Sequence, residues 1–146
     1  MKIRSMRSSD YEQVYQLWLS CAGMGLNNLD DSKEGIDRFL TRNPETCFVA
    51  EEEARIIGVI LAGNDGRRGY IYHTAVSPDC RRRGIAAELV NEAMDALSAL
   101  GINKTALVVF CKNQEGNAFW EKIGFTARED LVYRNKTITE MIRIDT

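Results

Sequence analysis

Apolar residues along the chain fall into short β-type runs and amphipathic helical stretches. Lys2 to Met6 interleaves charge with apolar side chains as a short opening strand would, and Ser9-Asp10 offers a cap to a helix carrying Tyr11, Val14, Tyr15, Leu17 and Trp18 at helical spacing. That helix is expected to end near Ala22-Gly23, before a polar loop that runs to Asp30. Asp31 or Ser32 can then cap a second helix with Ile36, Phe39 and Leu40, which Asn43-Pro44 closes. Two β-rich runs follow, Cys47 to Ala50 and Ile56 to Ala62, joined by the charged stretch Glu51 to Arg55 as in a hairpin. The turn-rich segment Gly63 to Gly69 leads into another strand, Tyr70 to Val76.

The second half begins with a longer helix. Gly84 to Leu100 carries Ile85, Leu89, Val90, Ala93, Met94 and Leu97 on one face and Glu88, Asn91, Glu92 and Asp95 on the other. After Gly101, Thr105 to Phe110 is a continuous apolar run, which predicts a strand covered on both faces. Gln114 to Ile123 reads as a last helix ending at Gly124, and Thr126 to Ile144 has room for two antiparallel strands. The order β-α-α-β-β-β-α-β-α-β-β predicts an α/β fold with a central mixed sheet of about six to seven strands and about four helices. No repeat, low-complexity stretch or linker divides residues 1–146, so one domain is expected.

Composition narrows the class. The chain of 146 residues, 45% hydrophobic and 27% charged, has the balance of a globular domain, and no apolar run is long enough to span a bilayer. No membrane association is expected, and an N-terminus without secretory features predicts a cytoplasmic protein. Cys21, Cys47, Cys80 and Cys111 are too widely spaced for a CxxC metal or redox site, so free thiols and no metal are expected. A net charge of −2 argues against sequence-independent nucleic-acid binding.

The candidate chemistry lies between the strand ending at Val76 and the long helix, in Ser77-Pro78-Asp79-Cys80-Arg81-Arg82-Arg83-Gly84-Ile85-Ala86-Ala87. A helix start presents unpaired N–H groups and the positive end of the dipole, Gly84 allows close approach to the main chain, and three arginines add charge. The expected ligand carries phosphate, yet the pattern is neither GxxxxGK[ST] nor GxGxxG. A solvated turn with Gly84 as helix breaker is the plainer alternative.

Arg81-x-x-Gly84-x-Ala86 resembles the [RQ]xxGx[GA] signature of the GNAT N-acetyltransferase superfamily, in the place that family gives it, between the fourth strand and the third helix. Asn113 to Phe125 resembles the family's NxxAxxxYxxxGF segment. The resemblance covers nearly the whole chain and is similar to small bacterial members without an assigned acceptor. It implies a GNAT fold, acetyl-coenzyme A as acyl donor, an amine as acceptor and direct transfer between them. It also implies that Arg81, Arg82, Arg83, Gly84, Ile85, Ala86 and Ala87 cradle the pyrophosphate. Main-chain groups of Thr74, Ala75 and Val76 then pair with the pantetheine arm, and Asn113 and Trp120 flank its far side.

Family members commonly protonate the leaving thiolate with a tyrosine where this chain has Trp120, whose indole N–H lacks useful acidity. Tyr72 and Tyr133 are the substitute candidates. For the base, Tyr72 stands where some relatives have a glutamate. His73 is the single histidine, and regular strand alternation puts it on the face opposite Tyr72 and Thr74. Glu51 and Glu52 could reach an acceptor cleft from the end of their strand. Asn27, Asn28, Asp30 and Asp31 lie where the family shapes acceptor choice, and acidic groups there suit a cationic amine. Cys47 and Cys111 are read as buried apolar side chains. A coenzyme-A-binding sensor with weak catalysis and an unrelated phosphate-binding module stand as alternatives, and pairing of two copies through the tail strands is a plausible assembly.

Overall fold

The computed structural model describes residues 1–144. Five strands form one sheet in sequence order: β1 (Lys2–Ser5), β2 (Phe48–Glu52), β3 (Arg55–Asn64), β4 (Gly69–Val76) and β5 (Thr105–Ala106). Neighbours are antiparallel except β4 and β5, which run parallel. The α1 (Tyr11–Leu19) and α2 (Lys33–Arg42) helices cover one face, α3 (Ile85–Ala99) covers the other, and α4 (Gln114–Lys122) packs beside α3 with no fully buried residue.

Each element follows from its residues. Residues 56–63 of β3 are buried throughout, as expected of a central strand covered on both faces. The β2–β3 hairpin turns through Glu53 and Ala54, both at positive φ, in a two-residue loop whose twist matches its strands. A Cβ on Gly58 would stand 3.0 Å from Leu89 and 3.1 Å from Ile85, so this glycine lets α3 lie close against the sheet.

The sheet is smaller than the six to seven strands expected. Among the described residues the tail forms no strand beyond an isolated bridge between Asn27 and Arg143, flanked by the Asn28 amide on the Ile142 carbonyl at 3.0 Å. Its apolar residues Leu131, Val132, Ile138 and Ile142 stay exposed, so no burial drives strand pairing there. The run Thr105 to Phe110 pairs only over Thr105–Ala106, and Val108 is 58% exposed rather than covered on both sides. One boundary also shifts, since α1 stops at Leu19, short of Ala22; of the two expected caps for α2, Ser32 serves, accepting from the Gly35 amide. No helix of the described residues is long and apolar enough to cross a membrane.

Candidate functional site

Three features converge at the C-terminal half of β4. The first is the loop into α3. After Val76, Pro78–Cys80 makes a single 3₁₀ turn anchored by Asp79, which the Arg55 guanidinium and the Ser77 hydroxyl hold well below the usual carboxylate range. Arg82 (φ 64°) and Gly84 (φ 78°) then take left-handed backbone and α3 begins at Ile85. A Cβ on Gly84 would meet nothing within 4 Å, so this part of the main chain lies open to a ligand. The first N–H groups of α3, including those of Ile85, Ala86 and Ala87, have no carbonyl of their own helix to bond, the arrangement that suits an anion.

The arginines divide their work. Arg83 pairs with Glu52 at 2.6 Å, and Arg81 donates to the Val76 carbonyl at 3.4 Å with its other end against the Cys21 sulfur. Arg82 is exposed and has no such contact among the described residues. The loop therefore offers main-chain donors first and one unengaged guanidinium, not three. Glu51 is paired with Arg4 at 3.1 Å and Glu52 with Arg83, so neither carboxylate stands free as a base.

The second feature is a wedge. Pairing between β4 and β5 covers only Gly69–Thr105 and Tyr70–Ala106, while β4 continues to Val76. Beyond that point β4, including Thr74, Ala75 and Val76, has β3 on one side and, among the described residues, no strand on the other. An unpaired strand edge is a template for an extended ligand. Across the gap, Asn113 caps α4 by accepting from the Gly116 amide at 2.9 Å. Trp120, half-buried, packs edge-on to Phe119 (5.0 Å) and Phe125 (5.1 Å) against the α3 side of the core.

The third feature breaks strand alternation. Val59 faces Ala75 and Leu61 faces Tyr72, so His73 and Thr74 together oppose the single residue Ile60, a β-bulge with His73 at φ 35°. The bulge turns His73 to the face covered by α1 and α2, the same face as Tyr72, correcting the expectation that the two lie on opposite faces. His73 stands edge-on to Trp18 of α1 at 5.1 Å, and Tyr72 edge-on to Phe39 of α2 at 5.7 Å. His73 Nε2 lies 2.7 Å from Oδ1 of Asp31, which is 3% exposed and whose Oδ2 accepts from the Asn27 amide at 2.8 Å. The Trp18 indole donates to the His73 carbonyl at 3.2 Å.

Tyrosines gather beside this point. Tyr70 lies against Tyr72 at 4.6 Å with the rings tilted by 41°; burial, then the neighbouring Tyr133 and Tyr72, push its phenol up to about 12. Burial, Tyr133 and Asp30 likewise raise Tyr72. Tyr133 itself is 65% exposed. All of the cysteines are free; Cys47 is buried, with its thiol pushed up to about 12 by burial, whereas Cys111 is exposed at the surface and not buried as expected.

The partnership of His73 with Asp31 was not legible in the sequence. The two are 42 residues apart, and a bulge in β4 has no glycine to announce it.

The chain thus joins an α/β sheet, paired between β4 and β5 only at one end, to a helix start with open main-chain donors. Residues 11–125 match the acetyltransferase (GNAT) family. The chain is 34% identical over 140 residues to an acetyltransferase of Sodalis glossinidius, covering 96% of this chain and 97% of that one. It is also 34% identical over 142 residues to an acetyltransferase of Photorhabdus laumondii, covering 96% and 98%. Two solved structures share the fold: the PaiA N-acetyltransferase of Thermoplasma acidophilum in complex with coenzyme A (TM-score 0.77, 19% identity, 87% of this chain and 90% of that one) and a predicted acetyltransferase of Clostridium acetobutylicum with acetyl-coenzyme A (TM-score 0.70, 21% identity, 92% and 95%). The chain belongs to the GNAT family and is an acetyl-coenzyme-A-dependent N-acetyltransferase.

Proposed function

We propose that residues 1–146 act as a single domain that moves an acetyl group to a primary amine by direct attack on the thioester. The observation that carries this reading is the wedge between β4 and β5 opening beside the α3 start. In it, main-chain groups of Thr74, Ala75 and Val76 pair with the pantetheine arm. Backbone amides from Arg82 to Ala87 hold the pyrophosphate, with Arg82 adding charge and Arg81 and Arg83 bracing the loop. Asn113 and Trp120 act through α4, which they cap and pack, to form the far wall. A covalent route through Cys111 lacks support, because that thiol is exposed and has no base beside it among the described residues.

The acceptor is an amine that arrives as a cation. Tyr70, Tyr72 and Phe39 present aromatic surface next to the bulge, and Asp30 lies close enough to act on Tyr72. Aromatic faces and a carboxylate together favour an ammonium group. Tyr72 and Tyr133 are the candidates to return a proton to the leaving thiolate. Free cysteines suit a cytoplasmic site of action, and the exposed apolar residues of the tail suit pairing with a second copy.

The test is release of free thiol from acetyl-coenzyme A across a panel of amines and peptides, beside a binding titration of the same donor. Turnover with a cationic amine supports the reading, binding without turnover points to a sensor, and no binding overturns it. Gly84→Val places a β-branched side chain at φ 78° in the open part of the loop and is expected to weaken donor binding by tenfold or more, about 1.4 kcal/mol.

A further inference from the structure

We propose that Nδ1 of His73 takes the proton of the incoming amine, and that Asp31 is the positioning residue that makes this nitrogen the free one; the inference rests on the amine acetyltransferase reading. An ionised carboxylate only accepts hydrogen bonds. Asp31 Oδ1, 2.7 Å from Nε2, therefore places the imidazole proton on Nε2 and leaves the lone pair on Nδ1, which no described residue engages.

Asp31 is built to hold that position. Its Oδ2 is tied to the Asn27 amide, its carbonyl accepts from the Tyr11 hydroxyl at 2.7 Å, and Asn27 Oδ1 closes the loop onto the amides of Leu29 and Asp30. Gly35 lacks a Cβ where one would strike the carbonyls of Leu29 and Asp30, so the loop packs directly on the first turn of α2. The imidazole is also gripped from the α1 side, where Trp18 meets its ring and its carbonyl.

His73 pays a conformational cost to be there. A non-glycine residue at φ 35° is held in sparsely populated backbone, which persists only where its surroundings over-determine it. A histidine serving only to fill the interior would need no bulge, since regular alternation would place it under α3. The bulge instead sets it beside Tyr72, three residues past the last β4–β5 pair, where the wedge opens.

The titratable groups directly against His73 are Asp31 at 2.7 Å and Tyr72 at 6.3 Å between rings; Tyr11 bonds the Asp31 carbonyl, and Tyr70, Tyr133 and Asp30 adjoin Tyr72 in turn. Its surroundings are thus acidic and phenolic, and a cationic amine is drawn toward them. His73 Nδ1 removes one proton from the ammonium and leaves a neutral amine. The nitrogen lone pair forms the C–N bond as the C–S bond breaks. The departing thiolate takes a proton from the phenol of Tyr72 or Tyr133, the second N–H proton restores that phenol, and His73 releases its own to solvent, so that ammonium and thioester become amide, thiol and one proton.

Because the chain has a single histidine, ¹⁵N NMR of the imidazole reads its tautomer without ambiguity. The wild type is expected to show Nε2–H with Nδ1 unprotonated in the neutral ring, and Asp31→Asn to lose that preference. His73→Gln, checked for an unchanged melting transition, is expected to lower kcat/KM for the amine by about 10²–10⁴-fold. In the wild type the acidic limb of the kcat/KM profile should coincide with the imidazole titration, and His73→Gln should lack it. Asp31→Asn is expected to lower kcat more than it changes the KM for acetyl-coenzyme A, a split that a merely structural loop anchor would not give. An Nδ1–H tautomer in the wild type would overturn the role of Asp31, and unaltered kcat/KM in folded His73→Gln would overturn that of His73 while leaving the acetyltransferase intact. Absence of turnover by the wild type with every amine tried would remove the parent reading and the base role with it.

Discussion

The two faces of the sheet are packed by different chemistry. Under α3 the sheet buries Ile57, Ile60 and Ile71 against Leu89, Val90, Ala93 and Leu97, with no buried charged side chain among the described residues there. On the α1 and α2 side, apolar residues share the interior with two buried carboxylates, Asp10 and Asp31, each placed just before a helix and each engaged by a basic side chain. The contrast assigns each face a task. An apolar interface fixes where α3 sits, and hence where its N-terminus opens, without demanding one orientation of any polar group. A buried carboxylate must have its partners met in one geometry, so the second face holds particular side chains in particular directions.

The largest expected effect comes from breaking the apolar face. Leu89→Ala removes a fully buried side chain and should lower unfolding free energy by about 2–5 kcal/mol in a urea titration, with the fold retained. Asp10→Asn sharpens the comparison from the other side. Arg4 grips Asp10 through two bonds, 2.8 and 2.9 Å, and losing the charge should cost about 1.5–3 kcal/mol.

The same pair predicts a pH dependence. Burial by itself would raise the Asp10 carboxyl, but the hydrogen bonds from Arg4 and the Arg7 amide, with their charges, outweigh it and hold the group below its ordinary value. Its stabilisation is therefore fully present above the unfolded value of about 4 and is lost as pH falls through the lower folded value. Chemical melts between neutrality and acid should show this component in the wild type and its absence in Asp10→Asn. Smaller still, Ser32→Ala removes the α2 cap and should cost about 1 kcal/mol. Thiol labelling touches neither face: Cys111 should react in the native protein, with Cys21, Cys47 and Cys80 following only on unfolding.

Much of the fold was readable because its signals are local. The alternation of burial along α3, the glycine at its start and the turn residues between β3 and β4 each act within a few positions, and the observed boundaries of α3 differ from the expected ones by one residue at each end. The turn into α3 was readable for the same reason, since a helix start and a left-handed glycine are properties of one short segment. The fate of the arginines was not. Arg83 finds Glu52 31 positions away, and charge counted along the sequence does not say which cations remain free. The tail and the run after Ala106 were misread because apolar alternation states what could be buried, not whether a partner surface is present.

By itself the sequence determined the α/β order of elements, the long helix, the left-handed glycine turn at its start and the family, all set by spacing, backbone preference or contiguous motif. Only the tertiary structure decided that β4 carries a bulge, that His73 shares a face with Tyr72, and that Asp31 serves the histidine instead of capping α2. A bulge depends on how two strands meet, and a buried carboxylate binds whichever donor the assembled chain brings within reach; neither is a property of a residue and its neighbours in sequence.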